Sequence, residues 1–180
     1  QVVALTTPAT VRQMGDTMRY AAPAAKGLGI EVQDLSVAMG LMASSGIRAS
    51  KAGTALRRGL INLGNAGEEQ QKVLNELGVQ MYDAEGNMRN FVTILKEMRN
   101  GLSGMTKQQK QARLETLFGA RAISGWSAVI NSSNKEMDEM VKKTREGVAV
   151  EEVIEERTNS LSGAFAKLAS KLQTMAVRLT

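Results

Sequence analysis

The side chains able to do chemistry form a short inventory. Among 180 residues there is no His and no Cys. An imidazole base, a Ser-His-Asp triad, a thiolate nucleophile, a disulfide and a His- or Cys-ligated metal are therefore excluded by composition. What remains is carboxylates, amines and glycine-rich turns. The densest carboxylates are Glu151, Glu152, Glu155 and Glu156. Two of them could in principle act as the acid and base of a glycosidase, but that chemistry needs a cleft and separate environments that drive the two pKa values apart. Four acids within six residues of one helix read better as a solvated face near a helix N-terminus, where the macrodipole favours negative charge.

Glycine loops that could cradle phosphate fail on inspection. Gly59 and Gly64 have the four-residue gap of a P-loop, yet Asn65 stands where the phosphate-binding Lys is required. Gly27 and Gly29 lack the third glycine of a dinucleotide fingerprint and follow no strand. Asp83, Glu85 and Asn87 suggest a calcium loop, but the bidentate Glu of an EF-hand would fall at Ile94, and Gly86 comes too early. A tight turn accounts for these residues better. No cofactor and no small-molecule substrate is expected.

The net charge is +5 with a pI of about 9.6. The basic residues form pairs (Arg57 with Arg58, Arg48 with Lys51, Lys142 with Lys143) rather than a tract, and aromatics make up only 3% of the chain. The interleaved platforms that single-strand binders use are not visible. DNA contact stays open, without support from a motif. The longest uncharged stretch, Leu35 to Ile47, is too short to span a bilayer. Gln1 is no initiator Met, and the last residues still run in helical phase, so the chain reads as a fragment of a longer polypeptide.

The elements that must position these residues are helical. Hydrophobic residues make up 43%, almost all aliphatic, with 11 Met, and both prolines, Pro8 and Pro23, lie near the start. Helical spacing predicts a first helix from about Pro8 to Lys26 with Val11, Met14, Met18 and Ala22 on one stripe, kinked or divided at Pro23. Further helices follow at about Val32–Ala43, Ala49–Leu63, Gly67–Leu77, Phe91–Arg99, Lys107–Leu117, Ala120–Asn131 and Asn134–Glu146. Gly46 and Gly78 are placed as C-terminal stops, and Ser103 or Thr106 can cap the helix that begins near Lys107, Thr106 with Gln109 three residues on as in a capping box. Trp126 is expected to bury its ring against neighbouring helices. Between Val79 and Phe91 the period changes to alternation around a Gly-Asn turn, which predicts a small β-hairpin.

The end of the chain has its own pattern. Leu161, Phe165, Leu168, Leu172, Met175 and Leu179 are spaced 4, 3, 4, 3 and 4, a heptad seam a little over three heptads long. Two readings stand side by side: a coiled coil, with self-association of copies, or one amphipathic helix packed on its own domain. The fold class expected is all-α: a compact multi-helix domain over 1–147 with one small hairpin at about 79–91, then a heptad-patterned helix over 148–180.

Several strings are more specific than any composition. Tyr20-Ala-Ala-Pro23-Ala-Ala25 precedes Gly27-Leu-Gly29-Ile-Glu-Val. Gly46-Ile-Arg-Ala-Ser-Lys leads into Ala52-Gly53-Thr54-Ala-Leu56-Arg57-Arg58. Leu77-Gly78-Val-Gln-Met-Tyr82-Asp83-Ala-Glu-Gly86-Asn87 follows, then Leu117-Phe118-Gly119-Ala-Arg121. In order and spacing, from about residue 6 to the end, these strings resemble the conserved core of bacteriophage tail tape measure proteins. One departure is Ala120, where many relatives carry Lys.

The resemblance implies a structural, non-enzymatic part of a phage or prophage tail. Such proteins occupy the lumen of the growing tube, promote its polymerisation, set its length and leave during genome ejection. Implied partners are the tail tube protein, tail assembly chaperones and tail tip proteins; implied locations are the virion tail and, during assembly, the host cytoplasm. Two rival readings from other classes are a virion-associated cell-wall hydrolase segment and a DNA-binding helical module. The motif residues have folding reasons independent of any family. Gly46 allows chain reversal, Ala52 and Gly53 allow close helix approach, Gly86 and Asn87 suit a turn, and Phe118 before Gly119 can anchor a helix end.

Overall fold

The computed structural model describes residues 8–145, with side chains from Gly15 onward. Seven helices follow one another: α1 (Pro8–Gly27), α2 (Val32–Ser44), α3 (Ala49–Gly64), α4 (Glu68–Glu76), α5 (Phe91–Gly101), α6 (Lys107–Phe118) and α7 (Ile123–Asn131). Residues 134–145 are also helical (α8). The described residues are all-helical and contain no strand. The chain divides into two compact units, Gln1–Val141 and Lys142–Thr180. The description below concerns the first, and the heptad seam Leu161–Leu179 lies outside the described residues.

Helix ends here are written in local hydrogen bonding. α1, α2 and α4 each stop in the same way, with glycine at positive φ followed by an apolar residue. Gly29 (φ 74°), Gly46 (φ 81°) and Gly78 (φ 69°) occupy the left-handed position. Ile30, Ile47 and Val79 return their N–H groups to Ala25, Met42 and Leu74, each at 2.9 Å, closing the last turn. A Cβ at the glycine would oppose this conformation, and the following apolar residue turns back toward the core. α6 starts in the expected capping box: the Thr106 hydroxyl accepts from Gln109 N–H at 3.3 Å, and Gln109 Oε1 accepts from Thr106 N–H at 2.9 Å.

α1 and α3 form the most extensive helix pair, and they run in the same direction. Thr17 and Tyr20 lie beside Gly53, and Leu28 lies beside Gly64. The Thr17 hydroxyl, buried between them, donates to Ala49 O at 3.0 Å. Small residues make this approach possible. The α1 positions that bury fully are Ala21 and Ala25, so the buried stripe is turned from the expected line through Met18 and Ala22. Nor does Pro23 divide α1, which continues to Gly27. Pro23 is exposed, so the Arg19 carbonyl that loses its N–H partner faces solvent rather than a dry interior.

The expected β-hairpin is corrected. Only one antiparallel bridge forms, between Tyr82 and Met88. α4 closes at Gly78 and α5 opens at Phe91, leaving too little chain on either side of the turn for a ladder. α7 begins at Ile123 rather than Ala120, because Gly119 takes φ 82° and ψ 150°, well away from the helical region.

The core is aliphatic with one aromatic cluster. Leu35, Met42, Leu56, Leu60, Leu63, Leu74, Ile94, Leu95 and Met98 are fully buried, each such side chain contributing about 1.5–3 kcal/mol by leaving water. Polar ties lock the helices laterally. Asp34 on α2 accepts from Phe91 N–H at 3.1 Å and from Asn90 Nδ2 at 2.8 Å, so one helix caps another. Arg89 pairs with Glu97 through both guanidinium nitrogens, at 3.0 and 2.7 Å, and donates to Gln80 O at 2.7 Å. Lys96 pairs with Asp138.

Candidate functional site

The motif residues fall into two places. The first is the inner side of α3. Its sequence alternates small residues with Leu, so three faces of one helix serve three neighbours. Gly53 faces α1, where an added Cβ would stand 2.9 Å from Thr17 O and from Tyr20 Cβ. Ala52 and Leu56 point into the aliphatic core. Ala55 and Gly59 face α7, where a Cβ on Gly59 would fall inside the Trp126 indole. Gly125 on α7 answers from its own side, because a Cβ there would come within 2.7 Å of the Ala55 Cβ. Thr54 and Arg57 lie on the solvent side of the same helix.

Trp126 is the centre of this arrangement. Its Nε1–H donates to the Ala55 carbonyl at 2.9 Å, across helices and fully buried. Phe118 stacks on it with centroids 4.2 Å apart and planes 3° from parallel, and Phe91 meets it edge-on at 6.1 Å. Offset-stacked and T-shaped pairs each contribute about 0.5–1.5 kcal/mol beyond burial. Phe118 thus anchors the end of α6, with Gly119 beside Asn62. The Ala55 carbonyl bond and the α5 contribution were not readable from the sequence. The scarcity of aromatics was the available signal, since two of the three Phe gather on the single Trp.

The second place is the turn 82–88. The Asp83 carboxylate accepts from Glu85 N–H at 3.1 Å and Asn87 N–H at 2.7 Å, while Asp83 N–H donates to Asn87 O at 2.9 Å. Both bonds go to its Oδ1, which closes the turn, as the turn reading of these residues requires. Gly86 takes φ 84°. Tyr82, Asp83, Gly86 and Asn87 are all exposed. Gly46 and Gly78 sit at helix ends, apart from both places.

Glu136 is held below the usual carboxylate range by hydrogen bonds from the Ser133 N–H and hydroxyl, a cap on α8. The Arg89 guanidinium is raised further by its bond to Glu97. An open depression runs along the exposed side of α4 between Ala66 and Glu76, lined by Lys72 and Glu68 without convergence on a point. Among the described residues no group of three or more acids is placed to hold a metal ion. No described helix is long and apolar enough to cross a membrane.

Comparison with known proteins decides which family these residues belong to. Residues 2–119 match the family described as phage-related minor tail protein. The chain belongs to that family. It is 28% identical over 172 residues to the tape measure protein of Pneumococcus phage Dp-1, covering 95% of this chain and 15% of that protein. It is 29% identical over 171 residues to the probable tape measure protein of Escherichia phage P2, covering 92% of this chain and 21% of that protein. The chain therefore spans about a fifth or less of the relatives it matches. No solved structure matches. The α3 block and the turn block of this tail-family chain both lie within the matched residues.

Proposed function

We propose that this chain is the folded core module of a tape measure protein, a structural part that nucleates assembly rather than the ruler itself. The observation that carries this reading is that two tape measure proteins match almost the whole chain while it spans only 15% and 21% of their lengths. The geometry agrees. A continuous helix of 180 residues would extend roughly 270 Å at about 1.5 Å per residue, but glycines turn this one back on itself at Gly29, Gly46 and Gly78. Length is measured by extended chain, and these residues spend theirs on packing.

In this reading the module sits in the virion tail, within the tube lumen, after assembly in the host cytoplasm. It presents rigid helix faces to the tail tube protein, tail assembly chaperones and tail tip proteins, and leaves during genome ejection. The heptad positions Leu161, Phe165, Leu168, Leu172, Met175 and Leu179 would begin the extended part and bring copies together. Residues 1–147 and 148–180 are accordingly two functional parts.

The test is an in-frame deletion of 8–145 in the phage or prophage that carries the chain, read by electron microscopy of tails. Loss of tails, or tails of uncontrolled length, is expected. Normal tails uniformly shortened by roughly 200 Å, at about 1.5 Å per deleted residue, would show that these residues act as ruler and would overturn the proposal.

A further inference from the structure

No contact described above uses the solvent side of α3. Lys51, Thr54, Arg57, Arg58 and Ile61 line it, and all are exposed. Lys51 and Arg58 are seven residues apart, so they stand on nearly the same meridian, about 10 Å apart along the axis. Arg57 flanks them on the side of α1. The described ion pairs occupy Arg19, Arg89, Lys96, Arg113 and Lys135, and none of these three cations takes part in one.

Among the described residues that charge is left uncompensated. No Asp or Glu occurs in the sequence between Asp34 and Glu68, so α3 carries cations alone. α7 has no acid. The single acid of α1, Asp16, is paired with Arg19. α2 contributes Asp34, whose carboxylate caps α5, which leaves Glu115 on α6 as the remaining described carboxylate from a helix closely packed on α3. A face whose task is only to stay hydrated mixes both signs.

We infer that this α3 face binds the phosphate backbone of duplex DNA, through Lys51, Arg57 and Arg58, without reading sequence. Charge complementarity selects the occupant. A phosphate backbone asks for regularly repeated cations on a rigid support and a hydroxyl such as that of Thr54, with no pocket. An acidic protein partner would need an apolar, desolvated centre to bind stably, and Ile61 is the one apolar residue on this face. No side chain here is placed to discriminate bases, so the affinity is electrostatic.

The experiment is fluorescence-anisotropy titration of a labelled duplex with the 180-residue chain, between 50 and 200 mM salt. Each phosphate-bound cation contributes about 0.9 to the slope of log affinity against log salt. Lys51→Gln/Arg57→Gln/Arg58→Gln should therefore flatten the slope by about 2.7, so that its affinity loss over this salt range is roughly 40-fold smaller than that of the unsubstituted chain. Circular dichroism should show both equally folded, since all three residues are exposed. A control triple on other faces, Lys72→Gln/Lys107→Gln/Lys110→Gln, should change the slope by less than half as much. Equal effects of the two triples would mean that net charge alone binds, and would overturn the assignment. So would an absence of binding at 50 mM salt, or competition by polyglutamate as effective per charge as by DNA.

Discussion

The α3 block and the 82–88 turn are equally recognisable as strings, yet they work by opposite means. Ala52, Gly53, Ala55, Leu56 and Gly59 are buried, and the smallness of Gly53, Ala55 and Gly59 lets α1 and α7 approach the α3 backbone. Tyr82, Asp83, Gly86 and Asn87 are exposed, and their backbone and carboxylate bonds close a reversal that touches little else. In the first region a residue type is dictated by a neighbour tens of positions away; in the second it is dictated by residues two to four positions away. A damaged α3 block should therefore loosen the whole unit, and a damaged turn should be felt locally.

The largest effect should come at the meeting point of α3 and α7. Trp126→Ala removes two ring contacts and the donor to Ala55 O, and large-to-small changes of this kind cost about 3–5 kcal/mol. Urea unfolding followed by far-ultraviolet circular dichroism should show a midpoint shift of that size. A loss under 1 kcal/mol would mean that α3 and α7 do not depend on this ring. Gly59→Ala and Gly53→Ala come next. Both force a Cβ into occupied space, and overpacking costs about 1–3 kcal/mol, with Gly59 the worse because the indole has no slack.

Gly78→Ala should lose about 1–2 kcal/mol by putting a Cβ at positive φ. Asp83→Ala sharpens the contrast. It should cost no more than about 1.5 kcal/mol and leave hydrogen exchange protection of α1 and α3 amides unchanged. Spread of lost protection into α3 would break the comparison. The smallest effect concerns pH. Because Glu136 is depressed in the folded state, the stability that it adds is present above its unfolded pKa and is lost as pH falls through the folded one. Glu136→Gln should therefore lower the thermal midpoint at neutral pH and match the unsubstituted chain in strong acid.

What was legible in the sequence follows the same divide. Local signals were readable: the helix stops at Gly46 and Gly78 and the Thr106–Gln109 box depend on neighbours within one turn. Helix boundaries set by periodicity came out close, with α2 and α3 within a residue or two of expectation. Most of the misses required distant information; the late start of α7 is the local exception, set by the backbone of Gly119. Whether Pro23 breaks α1 depends on which side of the helix meets solvent, and whether alternation around Gly86 becomes a ladder depends on how soon the flanking helices begin. The cap that Asp34 gives α5 joins positions 57 apart, and no local pattern announces it. At the α3 block the sequence showed smallness without saying which helix would use it. Tyr20, Thr17 and Trp126 supply that answer only in three dimensions.

The solitary indole also makes this tail component self-reporting. With one Trp in the whole chain, excitation at the red edge of protein absorbance interrogates a single location, sandwiched against Phe118 and sealed from solvent. Its emission should be blue-shifted and hard to quench while the helices hold together. Followed during urea unfolding of the 180-residue chain, the same signal would tell whether α3, α6 and α7 come apart together.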